Sequence, residues 1–172
     1  SGLKCTRHVE KWGILAVSRA PYGYKMFAGT HQLTIDEKGR IAVPARFRAQ
    51  LAESCNSQVV MTCGPNPCIE IYPMPEFQRI AQDIQNMADR RNADLLKQVF
   101  IGFAVESEVD RQGRVLLPAM LRKRARLNGS AILMGQYTRF DLWAEDLWSE
   151  RFGEGPGSIL ASLEDAFLTL KR

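Results

Sequence analysis

Apolar residues follow two rhythms along this chain, and the switch between them happens twice at the same kind of punctuation. Residues 27–36 and 103–110 carry apolar positions interrupted by Thr, His, Gln, Ser and Glu. That imperfect alternation predicts a strand in each place. Each stretch ends in a turn signal and then three consecutive apolar residues, Ile41-Ala42-Val43 and Val115-Leu116-Leu117, which predict a second, short strand. Pro44 and Pro118 follow, and proline suits the first position of a helix, where no amide donor is needed. Helices are therefore expected over 45–51 and 119–127. Apolar runs at 58–62 and 69–72, and again at 131–134 and 140–143, are separated by glycine-containing connections, and each pair predicts a hairpin.

The stretch between the two blocks, 75–103, has a different spacing. Phe77, Ile80, Ile84 and Met87 recur every three or four residues, the mark of a helix with one buried face. Asn92 is placed to cap a second helix carrying Leu95, Leu96, Val99 and Phe100. Gly153-Glu154-Gly155-Pro156-Gly157 breaks the pattern, and a last amphipathic segment follows with Ile159, Leu160, Leu163, Phe167 and Leu170.

The two blocks are copies of one another. Asp36-Glu37-Lys38-Gly39-Arg40 and Asp110-Arg111-Gln112-Gly113-Arg114 stand at a constant offset of 74, and the match runs on without a gap through Pro44/Pro118, Ala45/Ala119 and Arg48/Arg122. The shared string is D-x-x-G-R, three apolar residues, P-A-x-x-R. Beyond it, Ile69-Glu70-Ile71-Tyr72 echoes Phe140-Asp141-Leu142-Trp143 at an offset of 71, so the first copy has the longer loop. An internal repeat of this kind predicts two equivalent units. The α+β chain then divides into an N-terminal extension (1–25), repeat 1 (30–77), a helical linker (78–105), repeat 2 (106–149) and a C-terminal tail (150–172). Within each repeat Asp suits the first position of a turn, and Gly supplies the positive φ at its end.

Charge changes the picture only once it is located. The net charge of +4 comes entirely from residues 1–25, where Lys4, Arg7, Lys11, Arg19 and Lys25 face one acid, Glu10. The other 18 basic and 18 acidic side chains cancel. That first segment has no clean period. Either Met26 is the natural start and the segment is translated upstream sequence, or it is a basic arm able to grip DNA. In the rest of the chain charge is segregated. From Lys38 to Arg48 there are four basic residues and no acid, and from Arg111 to Arg126 six and no acid. Cys5, Cys55, Cys63 and Cys68 form no CxxC pair, and His8 and His31 lack metal-ligand spacing, so no zinc site and no cofactor are expected. No apolar run approaches the ~20 residues that span a bilayer. A P-loop, a G-x-S-x-G elbow and a G-x-G-x-x-G fingerprint are all missing, and nothing singles out an acid/base pair, so the chain does not read as an enzyme and no small-molecule substrate is expected.

Arg40 and Arg114 each follow a turn glycine at the start of a strand. A guanidinium there projects beyond the fold, where it suits bidentate contact with phosphate or a guanine edge. Asp36 and Asp110 are turn-formers first, and they also stand close enough to hold the arginines. Arg46, Arg48, Arg122, Lys123, Arg124 and Arg126 form either a solvated helix face or an extension of the contact. Trp143 and Trp148 read as core rather than as base-stacking platforms.

The strand, D-x-x-G-R turn, apolar strand and proline-led helix resemble the AbrB/SpoVT swapped-hairpin domain. Two copies in one chain, with Met26-Phe27-x-Gly29, Tyr72-Pro73-x-Pro75-Glu76 and Gly135-Gln136-Tyr137-x-x-Phe140-Asp141-Leu142-Trp143, resemble the MraZ family of transcriptional regulators over residues 26–150. The resemblance implies that the two halves form a pseudo-dimeric β-barrel in one chain. It implies rings of chains larger than a dimer, and a cytoplasmic, nucleoid-associated regulator that binds repeated double-stranded DNA elements upstream of the division and cell-wall gene cluster. It places the family's D-x-x-x-R contact on Asp36/Arg40 and Asp110/Arg114. With the flanking basic residues, the expected DNA-binding set is Asp36, Lys38, Arg40, Arg48, Asp110, Arg111, Arg114 and Arg122. Two rivals stay open: a barrel that binds protein as an adaptor module, and an enzyme with an unfamiliar site.

Overall fold

The structure, a computed structural model, describes residues 26–170, so the expectations for residues 1–25 and for the last two residues of the tail lie outside it. Strand β1 (Phe27–Thr34) leads through the first turn into β2 (Arg40–Ala42), helix α1 (Ala45–Cys55) and the hairpin β3 (Gln58–Thr62) and β4 (Ile69–Pro73). Two linker helices follow, α2 (Met74–Gln85) and α3 (Arg90–Leu96), closed by one π turn at Lys97–Ile101. The second copy repeats the order with β5 (Val105–Glu108), β6 (Arg114–Leu116), α4 (Ala119–Arg124), β7 (Ser130–Tyr137), β8 (Phe140–Ala144) and α5 (Glu145–Phe152). A 3₁₀ turn, Ile159–Ser162, and α6 (Leu163–Leu168) end the described chain.

The strands form an antiparallel sheet in the order β1-β7-β8-β4-β3-β5, with β2 and β6 paired separately as a two-stranded ribbon. The copies exchange their first strands. β1 pairs with β7 of the second copy, from Phe27 opposite Tyr137 to Thr34 opposite Ser130. β5 pairs with β3 of the first, Gln58 opposite Glu108. β4 meets β8 at the centre, with Glu70 opposite Asp141.

The expected closed barrel does not form. β1 and β5 stand at opposite ends of the sheet, each with one ladder partner. The Asp36 and Asp110 turns carry the chain out of the sheet into the ribbon, which lies over one face of it. Ile41, Val43, Val115 and Leu117 join Phe47 and Leu51 of α1, Leu121 of α4 and Val59, Met61, Ile71, Leu133 and Phe140 of the sheet in one core. An apolar cavity of about 10 Å³ between ribbon and sheet is at the lower limit of what a water molecule needs. Phe27, Phe47 and Phe140 meet edge-on or tilted at the heart of the core, with ring centroids 4.2 to 5.9 Å apart. Burial of each such ring stabilises the fold by about 1.5–3 kcal/mol.

The opposite face is covered at both ends. Tyr72 packs with Ile84 and Phe100 under α2 and the π turn. Cys68, Ile132 and Trp143 pack under α5, so Trp143 is a core residue, and the half-buried Trp148 and Phe152 pack against them. No helix among the described residues is long and apolar enough to cross a membrane.

Several boundaries move from their expected places for local reasons. Asp89, rather than Asn92, caps α3: its carboxylate accepts the Asn92 amide at 3.1 Å. α4 stops at Arg124 because Arg126 turns left-handed (φ 53°) and the Leu127 amide bonds back to the Arg122 carbonyl at 2.9 Å, the Schellman way of ending a helix. α1 runs on to Cys55 before Asn56 (φ 50°) ends it.

Candidate nucleic-acid interface

D-x-x-G-R dictates the same local structure twice. In the first copy the Asp36 Oδ1 accepts the amides of Lys38 and Arg40, both at 2.9 Å, and the Gly39 amide donates to the Asp36 carbonyl at 2.9 Å. In the second, Asp110 Oδ1 accepts the amides of Gln112 and Arg114 at 2.9 Å, and Gly113 donates to the Asp110 carbonyl at 2.8 Å. Gly39 and Gly113 sit at φ +80° and +76°, where a side chain would be strained. Both carboxyls are held below the ordinary aspartate value of 3.8. For Asp36 the largest cause is the hydrogen bond from the Arg40 side chain; for Asp110 it is the hydrogen bond from the Arg114 backbone.

The same carboxylates brace the arginines. Arg40 Nε and Nη2 donate to Asp36 Oδ2 at 2.8 and 2.7 Å. Arg114 makes the matching contacts to Asp110 Oδ2 at 3.3 and 3.4 Å. A guanidinium has five N–H donors in a rigid fork. Spending Nε and one Nη2 donor on Asp leaves the Nη1/Nη2 edge pointing away from the turn. That edge matches the O6/N7 pair of guanine or two phosphate oxygens.

The ribbon sets where these edges stand. Arg40 lies opposite Leu116, Ile41 opposite Val115, and Ala42 opposite Arg114. Ile41 and Val115 are buried, so side chains alternate and Arg40, Ala42, Arg114 and Leu116 share the outer face. The two arginines occupy opposite corners of it. Lys38 and Arg111 are exposed on the turns at either side.

Arg48 and Arg122 stand elsewhere, as braces across the copies. A Cβ on Gly39 would lie 2.8 Å from Arg122 Cζ, and one on Gly113 would collide with the Arg48 guanidinium. The backbone makes the same crossing: the Val43 amide donates to the Gly113 carbonyl at 2.8 Å and the Leu117 amide to the Gly39 carbonyl at 2.9 Å. The Arg122 Nε is enclosed without a hydrogen-bond partner, so packing on the turn holds it. Arg124 is drawn to the Phe103 ring, 5.9 Å from its centroid. Ala42 and Leu116 are the outer-face residues that residue-type reasoning passes over. Their signal is the alternation inside R-I-A and R-V-L, whose ends must face the same way. His31 lies on β1 with its ring 5.1 Å from that of Phe47, and no group of His, Cys, Asp and Glu among the described residues could hold a metal.

Comparison with known proteins matches this chain to the MraZ protein family model twice in succession, over residues 26–98 and 100–158. The chain belongs to the MraZ family. Curated relatives named transcriptional regulator MraZ include one from Thioalkalivibrio sulfidiphilus, 41% identical over 80% of this chain and 99% of its own length. One from Methylococcus capsulatus is 40% identical over 72% of this chain and 82% of its own. One from Pseudomonas putida is 38% identical over 83% of this chain and all of its own length. The two family matches meet at residue 99, inside the π turn that separates the linker helices from β5.

Proposed function

We propose that this chain is a sequence-specific, DNA-binding transcriptional regulator of the MraZ type and that the β2–β6 ribbon is its reading element. One observation carries the reading: two arginines at opposite corners of a single exposed ribbon face, each backed by a carboxylate and left with a free donor edge. A two-stranded ribbon fits the major groove, and Arg is the side chain best matched to guanine there. The names of the family relatives favour the same function. In this reading Arg40 and Arg114 contact bases, and Lys38 and Arg111 contact phosphates beside them. Asp36 and Asp110 orient the arginines, while Arg48 and Arg122 hold the turns in register. The exchange of β1 and β5 supports two AbrB/SpoVT-like swapped-hairpin repeats acting as a pseudo-dimer, with the sheet left open.

One chain offers one ribbon, and its charge outside residues 1–25 is zero. Affinity then has to come from several chains engaging repeated sites together, which adds about 10²–10⁴ over a single contact. A closed ring larger than a dimer, bound to repeated elements upstream of the division and cell-wall gene cluster, satisfies that need and agrees with the family resemblance.

Replacing both Arg40 and Arg114 by Ala tests the core of the proposal. The expected result is native circular dichroism with at least a tenfold loss of affinity for a duplex selected from a random pool, since each base-reading arginine is worth about 1–3 kcal/mol. Unchanged binding removes the ribbon from the interface and favours a protein-binding module. Light scattering showing a monomer at micromolar concentration removes the ring.

A further inference from the structure

Besides its two arginines, the outer face of the ribbon carries a large apolar side chain that the charge argument leaves unused. Leu116 is 56% exposed. Its counterpart in the first copy, 74 positions earlier, is Ala42. A single exposed leucine is ordinary on a protein surface; this one is set apart by its place. The register puts it directly opposite Arg40, while Ala42 stands opposite Arg114. Facing side chains of an antiparallel pair start about 4.5–5.5 Å apart, and diagonal ones about 7–8 Å. At about 3.4 Å per base-pair step, the two arginines span roughly two steps, and Leu116 reaches the step next to the one under Arg40.

We infer that Leu116 reads a thymine C5-methyl group adjacent to the guanine contacted by Arg40, and that the Leu116/Ala42 difference gives the pseudo-twofold ribbon a direction on DNA. This rests on the ribbon being the DNA-reading element. The thymine methyl is the apolar group that the major-groove floor presents. A leucine flanked by two guanidinium groups whose donor edges face outward makes a poor seat for an apolar protein surface, but it suits a floor that alternates acceptors with methyl groups. Ala42 is too short to close the same gap at the other corner, so one end of the ribbon demands thymine and the other tolerates any base. A reader with two identical ends binds a site equally well in both directions, whereas this one has a preferred direction.

The test uses the full chain and a duplex enriched by it from a randomised pool. Each thymine is replaced in turn by deoxyuridine, which removes only the methyl group. Wild type is expected to lose about threefold to fivefold in affinity at one position, the effect of one CH₂-sized apolar group leaving its partner. Leu116→Ala is expected to bind the thymine duplex that much more weakly and to become indifferent to deoxyuridine there. Ala42→Leu is expected to gain a second sensitive position about two base-pair steps away. Affinity that collapses in the Arg40→Ala, Arg114→Ala double variant while no thymine position responds in wild type overturns the role of Leu116 and leaves the ribbon reading standing. A pool without enrichment, or an unaffected double variant, overturns both. Leu116→Ala that alters the oligomer mass and leaves the deoxyuridine response intact assigns the residue to contacts between chains and overturns the inference.

Discussion

The first turn grips its arginine and the second holds its own more loosely, although the two backbones match hydrogen bond for hydrogen bond. Arg40 sits 2.7–2.8 Å from the Asp36 carboxylate, whereas Arg114 keeps 3.3–3.4 Å from Asp110. Arg40 is also the less exposed side chain, at 24% against 33%. The difference separates two tasks that one motif performs. Asp Oδ1 and the positive-φ glycine build the turn, and they do so identically in both copies. Oδ2 positions the guanidinium, and that contact depends on the neighbours, which differ: Leu116 across the ribbon from Arg40, Ala42 across from Arg114.

The largest effects should come from beneath the ribbon, where the copies use unlike residues at the same place. Phe47, fully buried with its ring edge-on to Phe27 and tilted against Phe140, corresponds to Leu121. Phe47→Ala should cost about 3–5 kcal/mol and Leu121→Ala about 2–5, measured by urea unfolding. A much smaller cost for Phe47→Ala would break the view that its contacts with Phe27 and Phe140 anchor α1 in the core.

Gly39→Ala and Gly113→Ala should each destabilise by about 1–2 kcal/mol for the left-handed backbone alone, and both must also displace the arginine of the other copy. Equal losses would sharpen the claim of matched backbones. A loss confined to one copy would break it.

Asp36→Asn and Asp110→Asn keep an acceptor oxygen and remove the charge. Asp36→Asn is expected to weaken DNA binding several-fold, Asp110→Asn less than twofold, because the first carboxylate holds its guanidinium at the shorter distance. Fluorescence anisotropy at two salt concentrations measures this. A larger effect at Asp110 would invert the comparison.

The smallest expected effect is in acid. Both carboxyls titrate below 3.8 in the folded chain, so their contribution to stability is complete above that value. It is lost as pH falls through the lower folded values. Carbon-detected NMR titration should place both midpoints below 3.8. A midpoint at or above it for either residue contradicts the turn geometry.

Much of this was legible in the residues themselves. The offset of 74 exposes the repeat, and Asp, Gly and Pro mark the turns and helix starts because few other residues satisfy those backbone demands. Arg40 and Arg114 stand out for the same reason. What the pattern itself hides is long-range. Strand exchange leaves no local trace and is expected only through the swapped-hairpin resemblance, because β1 has the same alternation whether it pairs within its own copy or with β7. Arg48 and Arg122 look like an ordinary basic helix face until Gly113 and Gly39 are brought against them. The barrel expected from the resemblance fails to close because the ribbon leaves the sheet, an effect of turn direction that hydrophobic patterning does not encode. Asn92 lost the cap to Asp89 by a choice between two good cap residues three positions apart.

The exchange of strands also sets a schedule for the making of the protein. Phe27 leaves the ribosome early, but its partner Tyr137 is the last residue of β7. At about 5–20 residues per second, β1 waits several seconds for its neighbour. β2 likewise has no ladder partner until residue 116 has emerged. Pairing over such separations closes slowly, and the waiting edge is open to wrong partners. The same delay gives a safeguard: a chain that ends before residue 114 carries no β2–β6 ribbon at all.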